Sequence, residues 1–253
     1  MRKLVLGGLS VLMLVALAWA GDAWKNKAYQ QWDKADVQKI LNDSPWAKVA
    51  HVDVPGANLS PQSGLPAGNS GSSGATVKTG KGGGGGGAPS TTPAELGAET
   101  GANLPQIPFV VRWISSRTIR EALVRSAELS GQLKEANAEK DLSIPVDMYE
   151  VMVLGPQMDI FEAAGESTLK ENVLLTGKKT KEKIAPAKVD IQRTPDGKKI
   201  LAILFSFPRQ TANGEATIGS TEKAVEFSCA LPRANFKVSF DIPKMEDSKG
   251  RDL

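Results

Sequence analysis

The feature that most limits how this chain can fold is a long stretch, residues 55–107, made almost entirely of Gly, Pro, Ser, Ala, Thr and Asn. It contains six consecutive glycines, Gly82–Gly87. Such a composition buries too little apolar area to offset the entropy lost on ordering, so we predict a disordered internal linker. The linker separates a short segment, residues 21–54, from a longer one that follows it.

The short segment carries Trp24, Trp32 and Trp46. It is too small to form a core of its own without a disulfide or a metal, and the chain has a single cysteine. Asp33 is predicted to cap a helix that begins at Lys34, and residues 48–54 alternate as a strand does. A linker of this length spans roughly 40 Å, so we expect residues 21–54 to dock on the C-terminal domain and the strand to join its sheet.

Residues 108–243 form the predicted C-terminal domain, an α+β fold with a mostly antiparallel sheet and two helices on one face. Residues 200–207 are apolar at nearly every position, which predicts a central strand. Thr118 and Glu121 have capping-box spacing, and Gly177 fits a left-handed helix cap. Strands are predicted over 109–114, 148–154, 188–193, 199–207, 222–231 and 235–242, and helices over 118–136 and 168–175. Residues 244–253 are predicted to be a polar tail.

The first twenty residues have the order of an export signal. Arg2 and Lys3 precede an apolar run, Leu4–Leu17, which ends at Ala18-Trp19-Ala20. This pattern predicts a signal peptide cleaved between Ala20 and Gly21, and hence a secreted or periplasmic protein. The apolar run is shorter than the ~20 residues that cross a bilayer, so no stable membrane span is expected after processing.

Charge gives no support to a nucleic-acid partner. Of the 31 basic residues, 29 remain after Arg2 and Lys3 are removed, against 28 acidic residues. A nearly neutral chain lacks the excess of Lys and Arg that phosphate backbones attract. We therefore expect no nucleic-acid partner.

Catalytic motifs are incomplete throughout the sequence. Ser167 and Lys170 have Ser-x-x-Lys spacing, but the partner motifs of that chemistry are missing, and a helix-capping role for Ser167 explains the pattern. His51 is the only histidine, and Cys229 lies in an alternating apolar strand as a core residue does. Acidic pairs remain open as a carboxylate site: Asp147, Glu150, Asp159 and Glu162. We predict no catalytic residues, no metal site and no cofactor.

The motif W-x3-D-V-x2-I-L-x2-S-P-W-A, which runs from Trp32 to Ala47, resembles an uncharacterised family of secreted bacterial proteins. Phe207-Pro208-Arg209 and the closing stretch 238–245 belong to the same resemblance. It implies a bacterial, exported protein and assigns no activity. Val153-Leu154-Gly155-Pro156 is similar to a strand ending in GWxTD-type domains, although the Gly-Trp-x-Thr-Asp pentad itself is missing here.

Three classes of function follow from these patterns. The first is a non-enzymatic interaction or structural module of the bacterial envelope, whose partner is an envelope protein, an extracellular protein or a cell-wall component. The second is a small-ligand-binding domain with Arg209, Trp113 and Tyr149 as pocket residues, since aromatic and Arg side chains serve such sites. The third is a hydrolase that uses carboxylates or Ser167.

Overall fold

The computed structural model describes residues 22–53, 106–133 and 135–253 of the chain. The expected signal peptide and all of the expected linker except its last two residues lie outside this part. The described residues form a mixed structure of mostly antiparallel strands and a few helices. None of its helices has the length and apolar character needed to cross a membrane.

The elements follow one another along the chain in a mixed order. The helices are α1 (Ala23–Asn26), α2 (Lys34–Asn42), α3 (Arg117–Leu129), α4 (Glu135–Leu142) and α5 (Glu166–Asn172), with short 3-10 helices at Tyr29–Gln31, Met158–Phe161 and Ile242–Lys244. The strands are β1 (Ala47–Asp53), β2 (Gln106–Trp113), β3 (Met148–Leu154), β4 (Val173–Gly177), β5 (Lys183–Ile184), β6 (Lys188–Arg193), β7 (Ile200–Pro208), β8 (Ala224–Leu231), β9 (Ala234–Asp241), β10 (Glu246–Asp247) and β11 (Gly250–Arg251).

The strands form two larger antiparallel sheets and one small hairpin. The first sheet has the order β1-β2-β3-β7-β6, the second β5-β4-β8-β9, and β10 pairs with β11. The sequence predicts a single sheet, and the structure corrects this. Strands of both sheets have one strongly apolar face, and each sheet covers the apolar face of the other.

The core lies between these two inner faces and is rich in aromatic rings. Phe109 stacks on Phe236 with ring centroids 6.3 Å apart, and Phe205 meets Phe227 edge-on at 5.6 Å. The rings come from β2 and β7 of the first sheet and from β8 and β9 of the second. Aromatic pairs in these geometries add to the stability that apolar burial provides.

The N-terminal segment is part of this body. β1 pairs with β2 along its whole length, from Ala47 opposite Arg112 to Asp53 opposite Gln106. β2 therefore begins at Gln106, inside the stretch 55–107 predicted as linker, because the pairing partner extends as far as Asp53. The indoles of Trp32 and Trp46 are fully buried.

Side-chain caps set the starts of α2 and α3, and one predicted cap is wrong. Asp33 caps α2 in a capping box with Asp36, as its position before Lys34 predicts. α3 begins one residue earlier than predicted, because Ser116 is its cap and accepts a hydrogen bond from the Ile119 amide. The predicted box of Thr118 with Glu121 is wrong, since the Thr118 hydroxyl donates to Asp252 instead.

Two predicted helices are too long. The helix predicted over 118–136 ends at Leu129, because Gly131 adopts a left-handed backbone with φ of 72° and α4 follows as a separate helix. The helix predicted over 168–175 ends at Asn172, and residues 173–177 form β4. The apolar residues Val173 and Leu175 of β4 face the core from a sheet, where their alternation matches the strand period.

The predicted polar tail, residues 244–253, packs on the rest of the fold and contains β10 and β11. Met245 is fully buried and Asp252 is nearly so. The Trp46 indole donates to the Asp252 carbonyl over 2.7 Å, and Arg117 forms an ion pair with Asp247. Contacts distant in sequence hold this segment, so its own polar composition does not reveal them.

Candidate functional site

The three residues proposed from the sequence as a binding site do lie together. The Trp113 and Tyr149 rings meet edge-on with centroids 5.6 Å apart, and the Arg209 guanidinium lies 4.4 Å from the centre of the Tyr149 ring. Trp113 ends β2, Tyr149 is the second residue of β3, and Arg209 follows the last residue of β7. The antiparallel order β2-β3-β7 brings these three strand ends to one end of the first sheet.

The two rings of this cluster are buried, and Arg209 is partly buried. Trp113 is fully buried, Tyr149 is nearly so, and Arg209 donates a hydrogen bond to the Leu253 backbone oxygen over 2.7 Å. The C-terminal segment therefore lies against the guanidinium. A cation over an aromatic face in such a protected place stabilises the fold.

Several buried polar atoms around the cluster lack a hydrogen-bond partner among the described residues. They are Trp113 Nε1, Ser115 Oγ, Arg209 Nε and Thr211 Oγ1. Ser115 and Thr211 each lie two residues beyond a member of the cluster. Sequence reasoning missed both, because an isolated Ser or Thr after a strand has no distinguishing pattern. Buried polar atoms are normally paired, so this end of the sheet has unused capacity for a water or a small polar ligand.

The Ser-x-x-Lys pair does not form a nucleophile site. Ser167 is exposed on the first turn of α5, and the cap of that helix is Gly165. The predicted capping role of Ser167 is therefore wrong, because the helix begins one residue before it. Lys170 forms an ion pair with Glu166 at 2.9 Å, one turn back along the helix.

The four candidate carboxylates fall into two separate places. Asp147 and Glu150 line a cleft of about 300 Å³ near the start of β3, together with Arg120. Asp159 and Glu162 follow the other end of β3, and Glu162 forms a two-bond ion pair with Arg193. The described residues contain no group of three or more His, Cys, Asp and Glu side chains that could hold a metal ion.

The remaining reactive side chains are explained by their positions. His51 is exposed on β1, opposite Pro108 of β2. Cys229 is fully buried in β8, and burial raises the pKa of its thiol to about 12. A neutral, buried thiol acts as a small apolar core residue.

The outer face of the first sheet carries an apolar patch that sequence reasoning did not identify. Neighbouring strands place Val49, Val110 and Leu154 in one row, and Met152 and Leu204 in the next. We call these five residues the outer-face patch. Val49 has 45% of its surface exposed, Met152, Leu154 and Leu204 are partly exposed, and Val110 is buried between them.

A signal for this patch was present in the sequence. Strands β3 and β7 carry apolar residues on both alternating positions, which indicates that both of their faces are covered. Only the inner face is packed against the second sheet. Of the outer positions, Val110 and Ala202 are buried, whereas Val49, Met152, Leu154 and Leu204 keep part of their apolar surface exposed.

The chain was compared with protein-family models, curated proteins and solved structures, and none of them matches it.

Proposed function

We propose that this protein is an exported, non-enzymatic domain of the bacterial envelope that binds a macromolecular partner through the outer-face patch. The observation that carries the proposal is the register of the patch, which aligns five apolar side chains across β1, β2, β3 and β7. An apolar surface that spans several strands is typical of a protein-binding face.

Polar groups surround the patch, as they do at protein interfaces. His51 and Asp53 lie beyond Val49 on β1, and Arg112 and Glu150 lie toward the α2 end of the same face. Lys188 and Asp190 border it on β6, opposite Ser206 and Leu204. An apolar centre with a charged rim suits a folded protein partner of the envelope.

The export part of the proposal is supported by the sequence of residues 1–20 and by the resemblance of the Trp32–Ala47 motif to secreted bacterial proteins. Its test is N-terminal sequencing of the protein isolated from a bacterial host. We expect the mature chain to begin at Gly21 and to be found outside the cytoplasm. An uncut chain in the cytoplasm would contradict it.

The interaction part is tested by charge placed on the patch. We expect the double variant Met152→Lys/Leu204→Lys to lose affinity for an envelope partner by at least about tenfold, because each lysine must be desolvated at the interface. The matched control is Leu123→Lys/Leu129→Lys, which changes two leucines on α3 that are 40% and 46% exposed.

Affinity is measured by titrating immobilised protein with the host's envelope fraction and quantifying each captured species. Circular dichroism confirms that both double variants fold. If the patch variant and the α3 variant retain the same partners equally well, the patch is not the binding face.

A second function is favoured by a separate observation, the four unpaired polar atoms around Trp113 and Arg209. In this alternative the domain binds a small polar molecule at the Trp113–Tyr149–Arg209 cluster. Its test is a thermal-shift screen with soluble cell-wall fragments. A fragment that raises the melting temperature of the wild type but not of Arg209→Gln supports the alternative, and a set of fragments without effect on the wild type contradicts it.

A further inference from the structure

A second, unrelated surface carries a cleft of about 460 Å³. It lies where the N-terminal helices meet the start of β1 and the end of β9, and its volume is within the range of small-ligand sites. The cleft is lined by four lysines and one tryptophan: Lys25, Lys39, Lys48, Lys244 and Trp24. Three carboxylates also line it: Asp22, Asp43 and Asp241.

The lysines differ in how their charge is balanced. Lys25 lies 3.8 Å from Asp22, and Lys244 lies 3.2 Å from Asp241. Lys39 and Lys48 have no carboxylate oxygen within 4.0 Å among the residues that the structure describes. With only Asp43 left to oppose these two lysines, the lining has a surplus of one positive charge.

Burial affects the charge of Lys48. It is partly buried on β1, and desolvation lowers the pKa of its ammonium group, while the charge of Asp43 acts in the opposite direction. A buried charge costs free energy unless an opposite charge and hydrogen bonds compensate for it. The cleft therefore holds an ammonium group without a close counter-ion.

Trp24 provides an independent observation at the same place. Its side chain lines the cleft, yet its Nε1 is buried and has no hydrogen-bond partner among the described residues. The Lys39 Nζ lies 6.0 Å from the centre of the Trp24 ring. Lysine ammonium groups and the indole N–H can only donate hydrogen bonds, so the missing partners are all acceptors.

We infer that this cleft binds a small molecule that carries a carboxylate or phosphate group. The oxyanion would accept hydrogen bonds from Lys39 and Lys48, and the Trp24 indole would form a wall for the rest of the molecule. The inference goes beyond the proposed interaction domain, because none of the lining residues belongs to the outer-face patch.

The test is isothermal titration of the full mature chain with inorganic phosphate, pyrophosphate and succinate in separate experiments at low ionic strength. We expect at least one probe to bind, and Lys48→Gln to weaken it by about tenfold, the effect of losing one charge-assisted hydrogen bond. Comparing phosphate with succinate separates a phosphate site from a carboxylate site.

Two further variants show whether binding is specific to the cleft. Trp24→Phe replaces the indole with a smaller ring, and we expect weaker binding because the wall of the cleft is reduced while the protein stays folded. Lys198→Gln removes one charge from an exposed turn, where the lysine side chain is 80% exposed, and we expect it to bind as the wild type does. The inference is overturned if no probe binds the wild type, or if Lys198→Gln loses as much affinity as Lys48→Gln.

Discussion

At the scale of single residues, Asp252 connects the most distant parts of the fold. Its carboxylate accepts hydrogen bonds from the Arg117 and Thr118 amides and from the Thr118 hydroxyl. These are free N–H groups at the start of α3, where a negative charge is favourable. These acceptors, which add to the Ser116 cap, come from a residue that lies 134 positions from Thr118 in the chain, so local sequence patterns cannot reveal them.

We predict that Asp252→Ala lowers the free energy of unfolding by about 2 kcal/mol, because the buried donors at the start of α3 lose their acceptors. Urea denaturation followed by circular dichroism measures the change. Asp190→Ala, at an exposed position on β6, is the control and should be close to neutral. Equal losses for the two variants would contradict the capping role.

The burial of Cys229 predicts how the stability of the protein depends on pH. Its folded-state pKa of about 12 lies above the ordinary thiol value, so the unfolded chain releases this proton at a lower pH than the folded chain does. The stability of the wild type relative to Cys229→Ala should therefore fall as pH rises through about 9 and above. A constant difference between the two proteins from pH 7 to pH 10.5, measured by urea denaturation, would contradict this.

At the scale of elements, strand prediction worked better than helix prediction. β3 and β6 have the bounds expected from their alternation, and the Asp33 cap placed α2 correctly. Period-two alternation and a side-chain cap are local properties, so the sequence alone contains them. The split of α3 from α4 and the start of β4 depend on what each segment packs against, which local patterns do not contain.

Gly177 also shows that a local sequence pattern does not contain the packing around a residue. The sequence predicts a left-handed helix cap there, but the residue lies in β4 without a left-handed backbone. A Cβ atom at this position would lie 2.7 Å from Glu222 Oε2 and closer still to Thr180 Oγ1. Glu222 accepts hydrogen bonds from the Lys179 and Thr180 amides, so glycine is needed to let its carboxylate approach.

We predict that Gly177→Ala destabilises the protein by about 2 kcal/mol, because the added methyl group displaces the buried Glu222 carboxylate from the Lys179 and Thr180 amides. The control is Gly219→Ala, where a Cβ would meet no atom within 4 Å. Melting temperatures from differential scanning calorimetry separate the two. Equal melting temperatures would show that the β4–β5 loop adapts without cost.

At the scale of the whole molecule, composition predicted the docking of the N-terminal strand but not the second sheet. A segment of this length buries too little surface to fold alone, so its docking on the larger domain can be expected from its size. The division of strands between two sheets depends on which apolar faces meet, as in the contact of Phe109 with Phe236. The outer-face patch was missed for the same reason, since it depends on strand register.

The docked segment leads to a prediction for tryptophan fluorescence. Trp24, Trp32, Trp46 and Trp113 have at most 5% of their surface exposed. Acrylamide should therefore quench the mature protein weakly, and fluorescence and far-ultraviolet circular dichroism should report one shared unfolding transition. Strong quenching under native conditions, or two separate transitions, would show that residues 22–53 are not docked.

The most direct test of the proposed interaction uses a photo-crosslinking amino acid at single positions in the native host. Val49 comes from the segment before the expected linker and Leu204 from the domain after it, and both belong to the outer-face patch. We predict that both positions yield a crosslink to the same envelope protein, whereas Leu129 on α3 yields none. Crosslinks to that protein from Leu129 but from neither patch position would contradict the proposed binding face.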